Sequence, residues 1–127
     1  MMRLVMIFLG GGLGSVLRYL VTGWVSRLDG SSFPTGTLVV NITGCMAIGF
    51  LASLWTGPQM IREEYRLAVL IGVLGGFTTF STFGWETFSL ANDRQFLLAT
   101  LNVLISNGAG LFAAWLGSRV AIAIYGV

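Results

Sequence analysis

Four long hydrophobic segments constrain the fold of this chain more than any other feature of its sequence. A bilayer core of roughly 30 Å requires about 20 helical residues. The segments that meet this length cover residues 4–25, 36–56, 67–90 and 95–118. The short connections between them carry the Pro, Gly, Ser and charged residues typical of turns. We therefore predict an all-α membrane protein with four transmembrane helices, in which residues 1–127 form a single integral membrane domain.

Composition argues against several other classes of protein. Hydrophobic residues make up 55% of the chain and charged residues 9%, which is typical of integral membrane proteins. The pI is about 9.2, but the basic residues are scattered arginines, so we expect no nucleic-acid binding. Cys45 is the only cysteine and histidine is absent, which excludes an intrachain disulfide and leaves a transition metal only carboxylate ligands. The sequence offers no pair of nucleophile and base, so we expect no enzyme.

The arginines divide unevenly between the two sides of the predicted membrane. Four lie on one side and two on the other, namely Arg3, Arg62, Arg66 and Arg119 against Arg27 and Arg94. The Lys and Arg residues of short loops set the orientation of a membrane protein, and a bias this small favours insertion in both directions. The sequence thus predicts dual topology and an antiparallel homodimer, which would also enclose a hydrophilic path better than four helices alone.

Small residues recur four positions apart in three of the segments. These groups are Gly10 with Gly14, Gly72 with Gly76, and Ser106 with Gly110 and Ala114. Such spacing lets helix backbones approach one another in a membrane, where lipid provides no hydrophobic drive for association. We predict close helix packing at these positions.

Polar side chains lie at helical spacing in the second and fourth segments. Thr37 and Asn41 share one face, and Asn102 and Ser106 share another. Either stripe alone is consistent with interhelical hydrogen bonds, whereas two stripes on different helices favour a water-accessible path. Arg18, in the first segment, is either an end charge that reaches the interface or a fixed positive charge that draws anions into a vestibule.

The sequence GGFTTFSTFGWE, residues 75–86, gives the third segment an unusual composition. Gly75 and Gly76 are followed by a phenylalanine and two threonines, a combination that favours unwinding of the helix in the middle of the membrane. A glycine packing notch without unwinding is the alternative. A broken helix exposes backbone carbonyl oxygens, and these suit a hard cation such as Na+.

Aromatic and polar faces lie side by side after this predicted break. Phe80 and Phe83 share one helical face, while Thr82 and Glu86 share the next, with Ser81 at the border. The edge of a phenyl ring is electropositive and can face a dehydrated anion, although two phenylalanines three residues apart are also common in cores. Glu86 is the only acid deep in a segment, which indicates either a proton site or an acceptor for Ser81 and Thr82.

Three stretches resemble the Fluc or CrcB family of small bacterial fluoride channels: GGGLGSVLRY (10–19), GTLVVNITGC (36–45) and GGFTTFSTFGWE (75–86). The resemblance extends over all four segments. It implies a multi-pass protein of the bacterial inner membrane that acts as an antiparallel homodimer. It also implies two pores per dimer that conduct F− passively out of the cytoplasm, reject Cl− and relieve fluoride toxicity.

The resemblance also implies roles for individual residues. Phe80 and Phe83 would meet fluoride with their ring edges, and the backbone carbonyls of Gly75 and Thr78 would hold a structural Na+ on the dimer axis. The other implied pore residues are Thr37, Asn41, Ser81, Thr82, Glu86, Asn102 and Ser106, with Arg18 near a vestibule. The fourth segment departs from some relatives, because it has Asn102 where they have a tyrosine and Gly110 where some have a hydroxyl.

Two rival functions are consistent with a four-helix membrane protein. A proton-coupled cation exporter similar to the small multidrug transporters would need an acid in the first helix, whereas that helix carries Arg18 and the deep acid Glu86 is in the third. A structural subunit without transport activity would leave the polar stripes and the predicted break without a role.

Overall fold

The structure is a computed structural model, and it describes residues 1–56 and 61–126. These residues form α1 (Met2–Asp29), α2 (Thr35–Thr56), α3 (Glu63–Leu67), a π-helix (Ala68–Val73), α4 (Leu74–Phe77), α5 (Phe80–Asn92) and α6 (Phe96–Tyr125). The described residues are therefore helical apart from short connections, as predicted. Residues 57–60 of the second predicted connection, and residue 127, lie outside the described ranges.

Four helical stretches are long and apolar enough to cross a membrane. They are Met2–Asp29, Thr35–Thr56, Glu63–Asn92 and Phe96–Tyr125. This confirms the predicted multi-pass membrane architecture. Each stretch runs past at least one end of the predicted segment, because helical hydrogen bonding continues into the membrane interface, where charged residues such as Arg119 are tolerated.

The third stretch is not one continuous α-helix. Its first half includes the π-helical turns of Ala68–Val73, which the sequence did not indicate. Thr78 and Thr79 then leave the helical conformation, with ψ angles of 158° and 115°. Gly75 and Gly76 themselves remain helical within α4. The backbone thus unwinds at the two threonines that follow the glycine pair.

Facing glycines let α1 pack closely against the third stretch. A methyl group at Gly10 would collide with the Ala68 carbonyl, and one at Gly76 would collide with the backbone of Gly11. Gly72 faces Gly10 in the same contact. The close packing predicted from these small residues is confirmed. The two alternatives for the third segment, a glycine packing notch and unwinding, occur together: the notch is at Gly76 and the unwinding begins two residues later, at Thr78.

Helices α2 and α6, the second and fourth of the long stretches, lie side by side and run in the same direction. Gly49 of α2 faces the Ala114 carbonyl of α6. Four residues further along both helices, the Ser53 hydroxyl donates to the Ser118 hydroxyl at 2.8 Å. The contact includes Ala114 from the third predicted group of small residues, so close packing there is also confirmed.

Few side chains are fully buried within one protomer. Val40 on α2 and Ala121 on α6 have no exposed surface, and Asn102 on α6 is 1% exposed. Large apolar side chains face outward along all four stretches, including Phe8 and Leu111. This pattern suits helices surrounded by hydrocarbon rather than water.

Candidate functional site

Asn41 connects α2 to the unwound residues of the third stretch. Its Nδ2 donates to the Thr79 carbonyl at 3.0 Å, and its Oδ1 accepts from the Thr79 N–H at 2.8 Å. An interrupted helix leaves backbone donors and acceptors without partners, which is costly in hydrocarbon. A single carboxamide, 38 positions away in sequence, satisfies both backbone groups of Thr79.

The Thr79 hydroxyl starts helix α5 and gathers two further hydroxyls. Its Oγ1 accepts from the Thr82 N–H at 3.2 Å, which is an N-cap interaction. The same group donates to Thr82 Oγ1 at 2.9 Å and lies 3.3 Å from Ser81 Oγ. The hydroxyls of Ser81 and Thr82 therefore cluster around Thr79, while Glu86 has a different partner.

Phe80 and Phe83 form a ring pair in the first turn of α5. The ring centroids are 5.4 Å apart and the planes are inclined by 44°. Phe83 is 9% exposed, whereas Phe80 is 80% exposed. Packing fixes one ring, and the other lies on the protomer surface, where its electropositive edge is available to a ligand or a second chain.

A cavity of about 390 Å³ brings several of the predicted site residues together. Its walls include Asn41, Gly75, Thr78, Phe80, Phe83 and Ser106. These residues come from α2, the third stretch and α6, so three of the four long helical stretches contribute. The cavity therefore combines two phenyl rings, the carboxamides of Asn41 and Asn107, hydroxyl-bearing residues and the backbone next to the unwound residues.

Thr37 and Glu86 form a separate polar pair between α2 and α5. Thr37 is 3% exposed, and its hydroxyl donates to Glu86 Oε1 at 2.7 Å. Glu86 Oε2 is buried and has no hydrogen-bond partner among the described residues. A carboxyl oxygen in this position has the capacity to accept a hydrogen bond or a proton.

Asn102 joins α6 to α5 through a chain of hydrogen bonds. Its Nδ2 donates to Thr87 Oγ1 at 2.8 Å, and Thr87 Oγ1 in turn donates to the Phe83 carbonyl at 2.8 Å. Ser106 Oγ donates to Asn102 Oδ1 at 3.2 Å. The polar stripe of the fourth segment is thus an interhelical contact that supports Phe83, and Ser106 extends it to the cavity.

The structure does not bring Arg18 into this group. Arg18 lies half-buried on α1, whereas the described residues that line the cavity belong to α2, α6 and the third stretch. The two sequence-based interpretations of Arg18 both remain predictions.

Gly75 and Thr78, the predicted Na+ ligands, lie at the same cavity. Gly75 is exposed, with open space where a side chain would stand. Among the residues that the structure describes, no three His, Cys, Asp or Glu side chains come together. Backbone carbonyl oxygens are ligands that Na+ accepts.

Helical spacing placed Thr79 on the face of Thr82 and Glu86, and Thr87 on the face of Phe80 and Phe83, but it assigned neither threonine a role in the site. The Thr79 hydroxyl caps the start of α5 and the Thr79 N–H donates to Asn41, while Thr87 links Asn102 to the Phe83 carbonyl. The N-cap preference for threonine was a usable local signal for Thr79. No comparable signal exists for Thr87, because its partner lies on another helix.

Known proteins resemble this chain over most of its length. A family model described as "CrcB-like protein, Camphor Resistance (CrcB)" matches residues 5–118. Three relatives carry the name fluoride-specific ion channel FluC. The relative from Geobacter metallireducens is 45% identical over 121 residues, which are 95% of this chain and 98% of the relative.

The other two relatives give the same picture. The protein from Citrifermentans bemidjiense is 45% identical over 124 residues, or 98% of this chain and 100% of the relative. The protein from Solibacter usitatus is 42% identical over 120 residues, which are 94% of this chain and 98% of the relative. Because both the family model and these relatives cover all four long helical stretches, the chain belongs to the CrcB family.

Proposed function

We propose that this chain forms a fluoride-selective channel of the bacterial inner membrane, through which F− leaves the cytoplasm passively and its toxicity is relieved. The observation that carries the proposal is the arrangement of Phe80, Phe83, Asn41 and Ser106 around one cavity. The names of the relatives support it, because they are called fluoride-specific ion channels and share 42–45% identity over nearly the whole chain.

The chemistry of this cavity suits a small and strongly hydrated anion. Such an ion must replace its water with several moderate donors, because a single strong site would trap it. Asn41 Nδ2 carries a second N–H beyond the one bonded to Thr79. The ring edges of Phe80 and Phe83 add further positive partial charge. A narrow passage of this kind would exclude the larger Cl−.

The direction of flow follows from the membrane potential. A negative interior drives an anion outward, with about 2.3 kcal/mol per elementary charge for each 100 mV. HF enters from an acidic exterior and dissociates inside, so an open pore is sufficient to expel F−. The proposed mechanism therefore requires no coupled ion and no chemical step.

The exposure of the site supports a functional unit of two chains. Phe80 is 80% exposed in one protomer although it lines the cavity, and a second copy would complete the missing wall. The weak arginine bias of the sequence favours opposite orientations for the two copies. We therefore propose an antiparallel dual-topology homodimer that contains two pores, with the unwound residues of each chain at membrane depth.

We also propose that a structural Na+ belongs to this dimer, bound by the carbonyls of Gly75 and Thr78 from both chains. The exposed position of Gly75 and the extended conformation of Thr78 support this assignment. When bound, the cation supplies a fixed positive charge at the junction of the two chains. The residues of this chain contribute neutral oxygen ligands and hold them in place.

Ion flux from liposomes tests the proposed function directly. Purified protein would be reconstituted into vesicles loaded with potassium fluoride or potassium chloride, and efflux would be started with a potassium ionophore. We expect rapid fluoride efflux at an ion-selective electrode and retention of chloride. Vesicles that stay sealed to fluoride, or that release both halides equally, would contradict the proposal. Uptake of organic cations driven by a pH gradient would indicate the rival exporter.

A further inference from the structure

We infer that Asn41 and Thr79 are positioning residues for the proposed cation site: their side chains take the two backbone donors that would otherwise occupy the Gly75 and Thr78 carbonyls. The inference rests on the proposed function, because it concerns the Na+ of that proposal. It assigns to Asn41 a role toward the cation in addition to its predicted role in the fluoride pore.

The argument for Gly75 starts from the hydrogen-bond pattern of a helix. In an uninterrupted α-helix the N–H of residue 79 would donate to the carbonyl of residue 75. Here the Thr79 N–H donates to Asn41 Oδ1 at 2.8 Å. The Gly75 carbonyl thereby loses its helical donor, and Gly75 lies exposed at the cavity. Its oxygen is left available to another partner.

The same reasoning applies to Thr78 one turn later. In an uninterrupted helix the N–H of residue 82 would donate to the carbonyl of residue 78. The Thr82 N–H instead donates to Thr79 Oγ1 at 3.2 Å. The Thr78 carbonyl therefore also loses its helical donor. The Gly75 and Thr78 carbonyls are the two that the family resemblance assigns to the cation.

An asparagine is well suited to this task because one carboxamide both donates and accepts. Its oxygen holds the Thr79 N–H, and its nitrogen holds the Thr79 carbonyl at 3.0 Å. The Thr79 carbonyl is thus occupied, and Gly75 and Thr78 are residues at the cavity whose carbonyls have lost their helical donors. Asn41 would select which carbonyls can bind a cation.

The test measures how strongly Na+ stabilises the purified full-length protein against thermal unfolding in detergent. Protein would be heated in sodium chloride and in a chloride salt of a bulky organic cation. A ligand that binds only the folded state raises the unfolding temperature according to its affinity. The readout is the difference between the two salts, so a general loss of stability, which lowers both temperatures, does not imitate the expected result.

Two pairs of variants separate the roles of the side chains. Asn41→Leu removes both the acceptor for the Thr79 N–H and the donor to the Thr79 carbonyl, while Asn41→Gln keeps a neutral carboxamide that can both accept and donate. Thr79→Val removes the hydroxyl that holds the Thr82 N–H, while Thr79→Ser keeps it. In the Leu and Val variants we expect the Na+ concentration required for a given stabilisation to rise about tenfold, equivalent to about 1.4 kcal/mol. In the Gln and Ser variants we expect a sodium response close to that of the unsubstituted protein.

Asn107→Leu provides a matched control within the same cavity. Asn107 also lines the cavity, but its Nδ2 donates to the Val103 carbonyl of its own helix at 2.7 Å. This variant should keep the full sodium response. An unchanged response in both Asn41→Leu and Thr79→Val, or an equal loss in Asn107→Leu, would overturn the inference.

Fluoride efflux measured on the same preparations separates this inference from the proposed function. A sodium response that depends on Asn41 and Thr79, in a protein that does not conduct fluoride, would overturn the proposed function and support the inference. Fluoride conduction without any sodium response in the unsubstituted protein would overturn the inference and leave the channel proposal standing.

Discussion

Polar side chains within the hydrophobic helices converge on the third stretch. Asn41 and Thr37, one helical turn apart on α2, bond Thr79 and Glu86 respectively. From the other side, Asn102 of α6 bonds Thr87. The two interpretations of these stripes, interhelical hydrogen bonds and a path for ions, are therefore compatible. The contacts that hold α5 in place also place the walls of the cavity.

The ring pair provides the most direct prediction at the residue scale. Phe80→Ile and Phe83→Ile should each reduce fluoride efflux from liposomes by about tenfold or more, because the electropositive ring edges are lost while apolar bulk is kept. Phe88→Ile is the matched control, since Phe88 lies exposed on the same helix and packs against Trp85. Equal efflux from the Phe80 and Phe88 variants would contradict the proposed role of the rings.

The Thr37–Glu86 hydrogen bond gives a second residue-scale prediction. Thr37→Val should lower the free energy of unfolding by about 1 kcal/mol, because Glu86 loses the hydroxyl that donates to its Oε1. Thr37→Ser should retain the stability of the unsubstituted protein. Unfolding in increasing fractions of a denaturing detergent measures the difference. If the valine and serine variants unfolded at the same fraction of denaturing detergent, the hydrogen bond would make no measurable contribution to stability.

At the scale of helical elements, local signals and long-range contacts contributed differently to what the sequence could predict. Hydropathy identified all four long stretches because it depends only on neighbouring residues. The composition around Gly75 indicated that the helix unwinds. The exact place of the unwinding, at Thr78 and Thr79, depends on Asn41, which lies 38 positions before Thr79. Small-residue spacing predicted the close packing of Gly10 and Gly72, but it did not indicate that Ala68–Val73 would be π-helical.

The contact between α1 and the third stretch yields a prediction about helix packing. Gly10→Val should lower the free energy of unfolding by about 1–3 kcal/mol, because the new side chain would collide with the Ala68 carbonyl. Gly12→Val is the matched control on the same helix, since a side chain at Gly12 would meet nothing within 4 Å. Similar destabilisation by both substitutions would contradict the close contact at Gly10 as the cause of the loss.

At the scale of the whole molecule, the weak arginine bias predicts how the chain inserts into the membrane. In a Cys45→Ser background, a cysteine added to the C-terminus should be labelled by an impermeant maleimide in roughly half of the molecules in intact cells. Adding lysines beside that cysteine should retain this end in the cytoplasm and suppress labelling. Complete labelling, or none, in the starting protein would contradict dual topology.

The parallel alignment of α2 and α6 has a consequence for biogenesis. The partner of Ser53 is Ser118, which lies 65 positions later, so α2 leaves the ribosome well before the helix that covers it. The surface around Gly49 therefore contacts lipid or the insertion machinery until α6 has been synthesised and inserted. A nascent chain stalled before α6 would expose this surface, and cellular quality control would encounter it as an orphaned helix.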